Sequence, residues 1–204
     1  RDIGSGKVES LKRQTSKIAI FLDRDGTINQ EVNHLSNVDQ FKLIDGVGEA
    51  ICRINAAGVL AVVVTNQPVI ARGELKESEL RAIHNKMDTL LGEQGAYVDR
   101  LYYCPHHTDS GFEGEVAELK FDCDCRKPKT GMFEQAKEDL NIVLERSWMV
   151  GDSYRDIFAA QRVGMKSVLV QTGYAGKDSY KNVNPDFVVQ DLRAAVGVIL
   201  KESE

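Results

Sequence analysis

The run Ile18-Ala19-Ile20-Phe21-Leu22 has no polar side chain, and it stops abruptly at Asp23. Alternate side chains of a strand point to opposite faces, so a strand with no polar face must be covered on both sides. That is the situation of a central strand in a parallel sheet lying between two layers of helices, and Lys17 to Leu22 reads as such a strand. If extended backbone continues to Asp25, then Asp23 and Asp25 point to the same side. Two carboxylates side by side repel, and a hard, oxygen-seeking cation such as Mg²⁺ keeps at least one of them ionised. Gly26 supplies a tight turn directly afterwards. The competing readings are a plain turn at a strand end and a fragment of a calcium loop. Thr27-Ile28-Asn29 lacks the regularly spaced oxygen ligands that a calcium loop needs.

The remaining chain follows the same logic. Asp45 reads as the cap of a helix running to Ala57, with Val47, Ala50, Ile51 and Ile54 on one face and Gly58 as its stop. Val59 to Val64 is a second buried strand that delivers Thr65-Asn66-Gln67, and Pro68 prevents its continuation. Glu74 to Gln94 has a long amphipathic period, and Val98 to Tyr103 is strand-like. Helices are expected over Thr130 to Leu140, Asp156 to Val163 and Leu192 to Leu200. Strands are expected over Trp148 to Val150, Ser167 to Val170 and Phe187 to Val189. Such alternation predicts an α/β fold with a doubly wound parallel sheet, right-handed crossovers, and a ligand site where strand C-termini meet a switch in strand order.

Length and charge narrow the function classes. The chain of 204 residues suits one domain with a substantial core, and its net charge of -5 gives no electrostatic footprint for nucleic acid. Apolar runs are only strand-length, which argues against a transmembrane span, and no signal-like leader is expected. Of the four cysteines, Cys52 stands alone in an apolar-periodic helix and reads as core, while Cys104, Cys123 and Cys125 cluster. That clustering points to metal rather than disulfide and fits a reducing cytoplasm. Residues 1–16 are polar and read as an arm or as the remnant of an upstream domain, with the main domain over 17–204. Asp2-Ile3-Gly4-Ser5 resembles a signature near the end of sugar-nucleotidyltransferase domains, so a covalently fused partner of that kind is one expectation.

Just beyond the strands stand Asp23 and Asp25, then Thr65 and Asn66, then Asp152 and Asp156. Parallel strands put all of these on one edge, and Lys127, from Arg126-Lys127-Pro128-Lys129, adds positive charge there. Acids, a cation site, a hydroxyl and a lysine together make a phosphate site containing a nucleophile. The ordered set Asp23-x-Asp25-Gly26-Thr27, Thr65-Asn66, Lys127 and Gly151-Asp152-x-x-x-Asp156 resembles the four motifs of the haloacid dehalogenase superfamily of phosphotransferases. The resemblance implies that Asp23 is the nucleophile that forms an aspartyl phosphate. It implies that Asp25 acts as general acid and then general base. Mg²⁺ is then held by the Asp23 carboxylate, the Asp25 backbone carbonyl and Asp152, with Asp156 orienting those ligands. Thr65 and Lys127 stabilise the phosphoryl oxygens.

Cys104-Pro105-His106 and Cys123-Asp124-Cys125 offer three thiolates and an imidazole, the closed tetrahedral set usual for structural Zn²⁺. Reduced surface cysteines are the competing reading. The Cys-x-His spacing favours His106 over His107. With no open ligand position, the ion fastens the loop 104–125 and thereby places Arg126 and Lys127. With Thr65-Asn66-Gln67, Ile70-Ala71-Arg72-Gly73, Cys125-Arg126-Lys127-Pro128 and Gly131-Met132, the chain resembles the capless zinc-loop branch of the superfamily, the heptose-1,7-bisphosphate 7-phosphatases, from about Ile18 to Leu200. This implies a small sugar bisphosphate as substrate in nucleotide-activated heptose biosynthesis, with Arg126 helping to recognise it. Asn66, Gln67 and Arg72 are further candidate contacts, a solvated arginine after a turn being the competing reading for Arg72. Glu31-Val32-Asn33-His34, Pro68-Val69, Thr130 and a longer metal loop depart from that family's pattern. Histidinol-phosphate phosphatase is the alternative substrate class, and a non-catalytic zinc-stabilised binding module is the alternative of another kind.

Overall fold

The run without a polar face does form a central strand, β1 (Ala19–Leu22), and it is entirely buried. A computed structural model describes residues 16–178, 180 and 183–202. The arm or remnant expected at 1–16 lies, apart from Ser16, outside the described residues.

Six strands make one parallel sheet: β1, β2 (Leu60–Asn66), β3 (Arg100–Cys104), β4 (Trp148–Gly151), β5 (Lys166–Val170) and β6 (Phe187–Val189), in the order β3-β2-β1-β4-β5-β6. The helices are α1 (Val47–Ala56), α2 (Glu77–Gly92), α3 (Gly131–Leu140), α4 (Tyr154–Arg162) and α5 (Leu192–Glu202). Period-two alternation divides the apolar strands between two cores. Ile20 and Leu22 of β1, with Ala61, Val63 and Val150, pack against the apolar faces of α1, α2 and α5. Ala19 and Phe21, with Val62, Val64 and Met149, pack against α3 and α4, where the Phe21 and Phe133 rings meet edge to face at 5.2 Å. Each β1 side chain therefore has a helical layer to enter. This explains why no polar residue is tolerated there.

The chain winds outward from β1 through β2 to β3, then returns to the other side of β1 as β4. The β1–β4 boundary is thus the switch in strand order where α/β sheets bind ligands. Two long connections, 23–46 and 105–130, rise above this edge, and among the described residues neither forms a separate cap domain.

Some local boundaries differ from the sequence expectation. Asp45 is exposed and does not cap α1; Gly46, at φ 79°, occupies the N-cap. The second strand runs on through Thr65 and Asn66 because these pair with Tyr103 and Cys104 of β3. Helix α2 starts at Glu77 rather than Glu74, because residues 68–75 are occupied by turns that dock on the metal-loop side, with Ala71 bonded to Pro105 and Val116. Cys52 is half-buried at the rim of a core rather than inside it.

Candidate active site

Register sets the site. Leu22 pairs with Val63 on one side and Val150 on the other, so Asp23, Thr65 and Asp152 emerge together at the C-terminal edge. The backbone does not stay extended to Asp25. The Arg24 carbonyl accepts hydrogen bonds from the amides of Thr27, Ile28 and Asn29, and the chain turns at once. Gly26 (φ 77°) and Gly173 (φ 56°) close around Asp152. A Cβ on either would lie 2.2 or 2.1 Å from Asp152 Oδ2, so only glycine lets both backbones approach. The Tyr174 amide then donates to Asp152 Oδ2 at 2.6 Å.

Lys127 is the buried cation of the cluster, with 1% of its surface exposed. Its Nζ lies 3.0 Å from Asp23 Oδ1 and 2.6 Å from Asp156 Oδ1, and donates to the Val64 carbonyl at 2.7 Å. Asn66 holds the lysine backbone with a pair of hydrogen bonds, Nδ2 to Lys127 O and Lys127 N to Oδ1, each 3.0 Å. Asp23, Asp152 and Asp156 offer oxygens within 4.8 Å of one another, and the Lys127 ammonium meets two of the three carboxylates. Burial, reinforced by the Asp156 charge, pushes Asp23 up to about 7 despite the pull of Lys127. Burial and the Asp23 and Asp156 charges push Asp152 up to about 8. Burial opposes the Lys127 charge, but Asp156 and Asp23 outweigh it and hold its pKa above the usual lysine range. Both partners are shifted upward, Asp23 chiefly by burial and then by the Asp156 charge, Lys127 by the two carboxylates beside it. The two Asp156 oxygens are buried without a well-formed hydrogen bond, Oδ1 meeting Lys127 only as an ion pair. Excess buried carboxylate of this kind fits a hard divalent cation.

Asp25 sits in the opposite environment. Arg24, fully buried, grips both carboxylate oxygens through Nη2 at 2.9 and 2.8 Å and Oδ1 also through Nε at 3.2 Å. Asn29 Nδ2 donates to Oδ1 at 3.0 Å and Gln67 Nε2 to Oδ2 at 2.8 Å. Burial favours the protonated acid, but Arg24, Asn29 and Gln67 together prevail and hold Asp25 below the usual carboxylate range. Behind Arg24, His84 of α2 places Nε2 3.1 Å from Nη1. Burial and the Arg24 charge push His84 down to about 4, so at neutral pH it is an uncharged acceptor for the guanidinium.

In the metal loop, Cys104 Sγ lies 3.5 Å from Cys123 Sγ and 3.1 Å from Cys125 Sγ, with 3.3 Å between the latter two. His106 Nδ1 is 3.2 Å from Cys125 Sγ and 3.7 Å from Cys104 Sγ. Three sulfurs and one ring nitrogen facing one point can hold a metal ion. The His106 carbonyl accepts from Arg126 Nη1 at 3.2 Å, tying the cluster to the cavity. His107 is buried outside the cluster, 3.2 Å from Arg72 Nη2. Arg72 Nη1 reaches His34 Nε2 at 2.6 Å, and the guanidinium lies 4.8 Å from the Phe112 ring centroid.

The cavity above this edge is lined by Asp23, Asp25, Thr65, Asn66, Arg72, Arg126, Lys127 and Asp152, brought together as the sequence places them. Gln67 is a correction. It is 2% exposed and turned inward, donating to Asp25 and Thr65 Oγ1 and accepting from Arg24, so it supports Asp25 instead of facing a ligand. Asp156 meets Lys127 as well as the acidic cluster. Sequence reasoning misses Arg24, His84, Asn29, Arg155 and Tyr174. Arg24 carried a signal, since an arginine inside an apolar-to-acid junction has to find a buried partner. The approach of His84 and Tyr174 is tertiary and leaves no local trace.

Comparison with known proteins agrees with this geometry. A HAD-hydrolase-like family model matches residues 124–195. A D-glycero-β-D-manno-heptose-1,7-bisphosphate 7-phosphatase of Escherichia coli O6:H1 is 41% identical over 188 residues, covering 91% of this chain and 96% of the relative. A protein of the same name from Haemophilus ducreyi is 46% identical over 161 residues, covering 78% and 86%. The crystal structure of a D,D-heptose 1,7-bisphosphate phosphatase from B. bronchiseptica, complexed with magnesium and phosphate, superposes with a TM-score of 0.78 at 34% identity, covering 91% of this chain and 99% of that one. With identity above 40% to relatives that it covers almost completely, the chain belongs to the D-glycero-β-D-manno-heptose-1,7-bisphosphate 7-phosphatase family of HAD-like hydrolases.

Proposed function

We propose that this phosphatase removes the 7-phosphate of D-glycero-D-manno-heptose 1,7-bisphosphate through an aspartyl phosphate on Asp23. The observation that carries the reading is the meeting of Asp23, Thr65, Lys127 and Asp152 at one sheet edge. Asp23 Oδ1 is held by the Arg24 amide at 2.7 Å and by Lys127, while Oδ2 has no hydrogen bond among the described residues. Oδ2 is then the oxygen that attacks phosphorus while the bond from phosphorus to the sugar oxygen breaks. Lys127 and the Thr65 hydroxyl stand where the phosphoryl oxygens gather charge. The leaving sugar alkoxide takes its proton from Asp25, and Asp25 later takes a proton from the water that releases inorganic phosphate. Held ionised by Arg24, Asp25 is ready for the second role. A dianionic phosphoryl group beside it opposes Arg24 and raises its proton affinity for the first.

Mg²⁺ fits Asp23, Asp152 and the Asp25 carbonyl, and when bound it neutralises the surplus carboxylate charge and screens the nucleophile from the phosphate. Zn²⁺ fits Cys104, His106, Cys123 and Cys125 as a loop fastener. A set of reduced thiols kept for metal suits a reducing compartment such as the cytoplasm.

Asp23→Asn is expected to abolish phosphate release while leaving the fold and zinc content intact, and unchanged turnover rejects the mechanism. Side-by-side rates on heptose bisphosphate and histidinol phosphate test the substrate. Preference for histidinol phosphate overturns the assignment.

A further inference from the structure

The connections that overhang the cavity are held to one another very unequally. The turns of 68–75 are welded to the metal loop through backbone. Ala71 donates to the Pro105 carbonyl at 3.3 Å and accepts from the Val116 amide at 2.9 Å. Gly73 (φ 72°) lies so close to Gly114 that a Cβ would stand 2.0 Å from the Gly114 carbonyl oxygen. The turn 31–37, which also lines the cavity, has no such weld. Leu35 is its buried apolar anchor, and most of its polar contacts are local, Glu31 with Asn33 and Asn37 with Asp39 and Gln40. Among the described residues, its one hydrogen-bonded link to distant parts of the chain is the side chain of His34.

His34 makes that link with both ring nitrogens. Nδ1 lies 2.9 Å from Glu74 Oε2, and Nε2 lies 2.6 Å from Arg72 Nη1. A neutral imidazole has one donor and one acceptor nitrogen, so with its proton turned to Glu74 the ring offers Nε2 to the guanidinium. Asn33, directly before it, turns the backbone through a left-handed conformation (φ 68°) that asparagine tolerates. Arg72 has little else to hold it. Its Nε is buried without a partner. His107 Nδ1 already accepts from the Asp109 amide at 3.0 Å, so on an uncharged ring Nε2 carries the proton and meets Arg72 Nη2 without accepting from it. The Phe112 ring, 4.8 Å from the guanidinium, is the remaining contact. Buried unpaired donors are costly, so without His34 the guanidinium gains by swinging out into water.

We propose that His34 is a positioning residue that latches the turn 31–37 to Arg72, so that this part of the cavity wall is assembled before substrate arrives. Binding then does not have to bear the cost of ordering the turn. The proposal rests on the phosphatase reading above for what the cavity receives, while the latch itself belongs to the free protein.

The test combines steady-state turnover of heptose 1,7-bisphosphate with hydrogen exchange of the substrate-free protein, for the wild type, His34→Phe, His34→Gln, Arg72→Met and the His34→Phe/Arg72→Met double variant. His34→Phe keeps a ring without nitrogens and should raise KM about tenfold with kcat within about threefold, because Asp23, Asp25 and Lys127 are untouched. His34→Gln carries an acceptor for Arg72 and a donor for Glu74 and should recover most of the KM. The double variant should have a KM no higher than the worse single variant, since the two changes remove one contact. Without substrate, amides of 31–37 should exchange faster in His34→Phe and in Arg72→Met, while the Val116 amide keeps its protection and reports an intact fold. Unchanged exchange at 31–37, additive losses in the double variant, a fall in kcat at constant KM, or a His34→Gln variant as poor as His34→Phe would each overturn the latch. Failure of the wild type on the bisphosphate would overturn the reaction instead, and the exchange measurement would still judge the latch.

Discussion

Replacing Lys127 by methionine keeps a long unbranched side chain but removes the ammonium from the centre of the acidic cluster. That ammonium is 1% exposed and lies 3.0 Å from Asp23 and 2.6 Å from Asp156. Removing one partner of a buried ion pair costs about 3–5 kcal/mol, since the remaining charge loses its compensation. Here two carboxylates lose it at once, but Asp23 can escape by taking up a proton. Asp23 already sits at about 7 with the lysine present, and without it the folded-state value climbs further. A carboxyl whose folded pKa exceeds its unfolded value, about 3.9, penalises folding fully above the folded pKa. The penalty shrinks as pH falls toward the unfolded value. Lys127→Met should therefore destabilise by about 3–5 kcal/mol at pH 8.5 and by less than about 2 kcal/mol at pH 5. Urea unfolding of protein dialysed free of magnesium measures both, provided the slopes match those of the wild type. A loss that is the same at the two pH values would refute the reasoning, because the cost would then not come from ionised Asp23.

Other expectations follow from the same site. Asp23 and Asp152, raised to about 7 and about 8, bind protons in the folded protein that the unfolded chain has released. Stability without magnesium should thus decline as pH rises from about 4 to 8, and added Mg²⁺ should stabilise strongly at pH 8 and little at pH 5. Thermal melts with and without Mg²⁺ check this, and equal shifts at both pH values contradict it. Cys123→Ser removes one of the four clustered ligands. It should lower bound zinc by elemental analysis, reduce Tm by at least about 5 °C and reduce turnover, because the loop no longer fixes Arg126 and Lys127; full zinc content and activity would contradict the ligand set. His84→Leu leaves Arg24 Nη1 without its acceptor and should lower kcat by about tenfold with little change in KM, whereas His84→Gln restores an acceptor and most of the rate. Equal kcat values for the two variants in steady-state assays would show that His84 does not position Arg24.

Much of the architecture is legible because it follows from side-chain alternation. Ala19–Leu22 announces a strand covered on both faces, and the two cores divide it residue by residue. The catalytic edge is legible for a related reason: parallel strands all end on the same side, so Asp23, Thr65 and Asp152 need no tertiary detail to be brought together. Arg126 and Lys127 are legible as followers of a fastened loop. What fails is anything decided by a turn or by a side chain from another element. Extended geometry stops at Leu22, since three amides converge on the Arg24 carbonyl, and Asp25 reaches the cavity from a turn. Gln67 looks like a ligand contact from its place beside Thr65 and Asn66, yet Arg24 and Asp25 claim both ends of its amide. Arg155 lies in the first turn of a helix, and nothing local announces that it lines the cavity.

The two acids of the opening motif are two residues apart and inhabit opposite environments, and that difference divides their labour. Asp23 shares one lysine with Asp156 under heavy burial, so at neutral pH its carboxylate is only partly ionised until a further cation joins the cluster. In the proposed mechanism, a metal ion that joins the cluster therefore raises the ionised fraction of Asp23. Asp25 depends on no such ion. Arg24, locked between Asp25, Gln67 and an uncharged His84, keeps it ionised and oriented whether or not metal is present. Separating the proton affinities of neighbouring carboxyl groups is how one site assigns a nucleophile and a proton carrier to identical side chains. Here Arg24 contributes most on the Asp25 side, helped by Asn29 and Gln67, because it belongs to the motif itself and turns its charge toward Asp25, leaving Asp23, amid burial and the Asp156 charge, only its backbone amide.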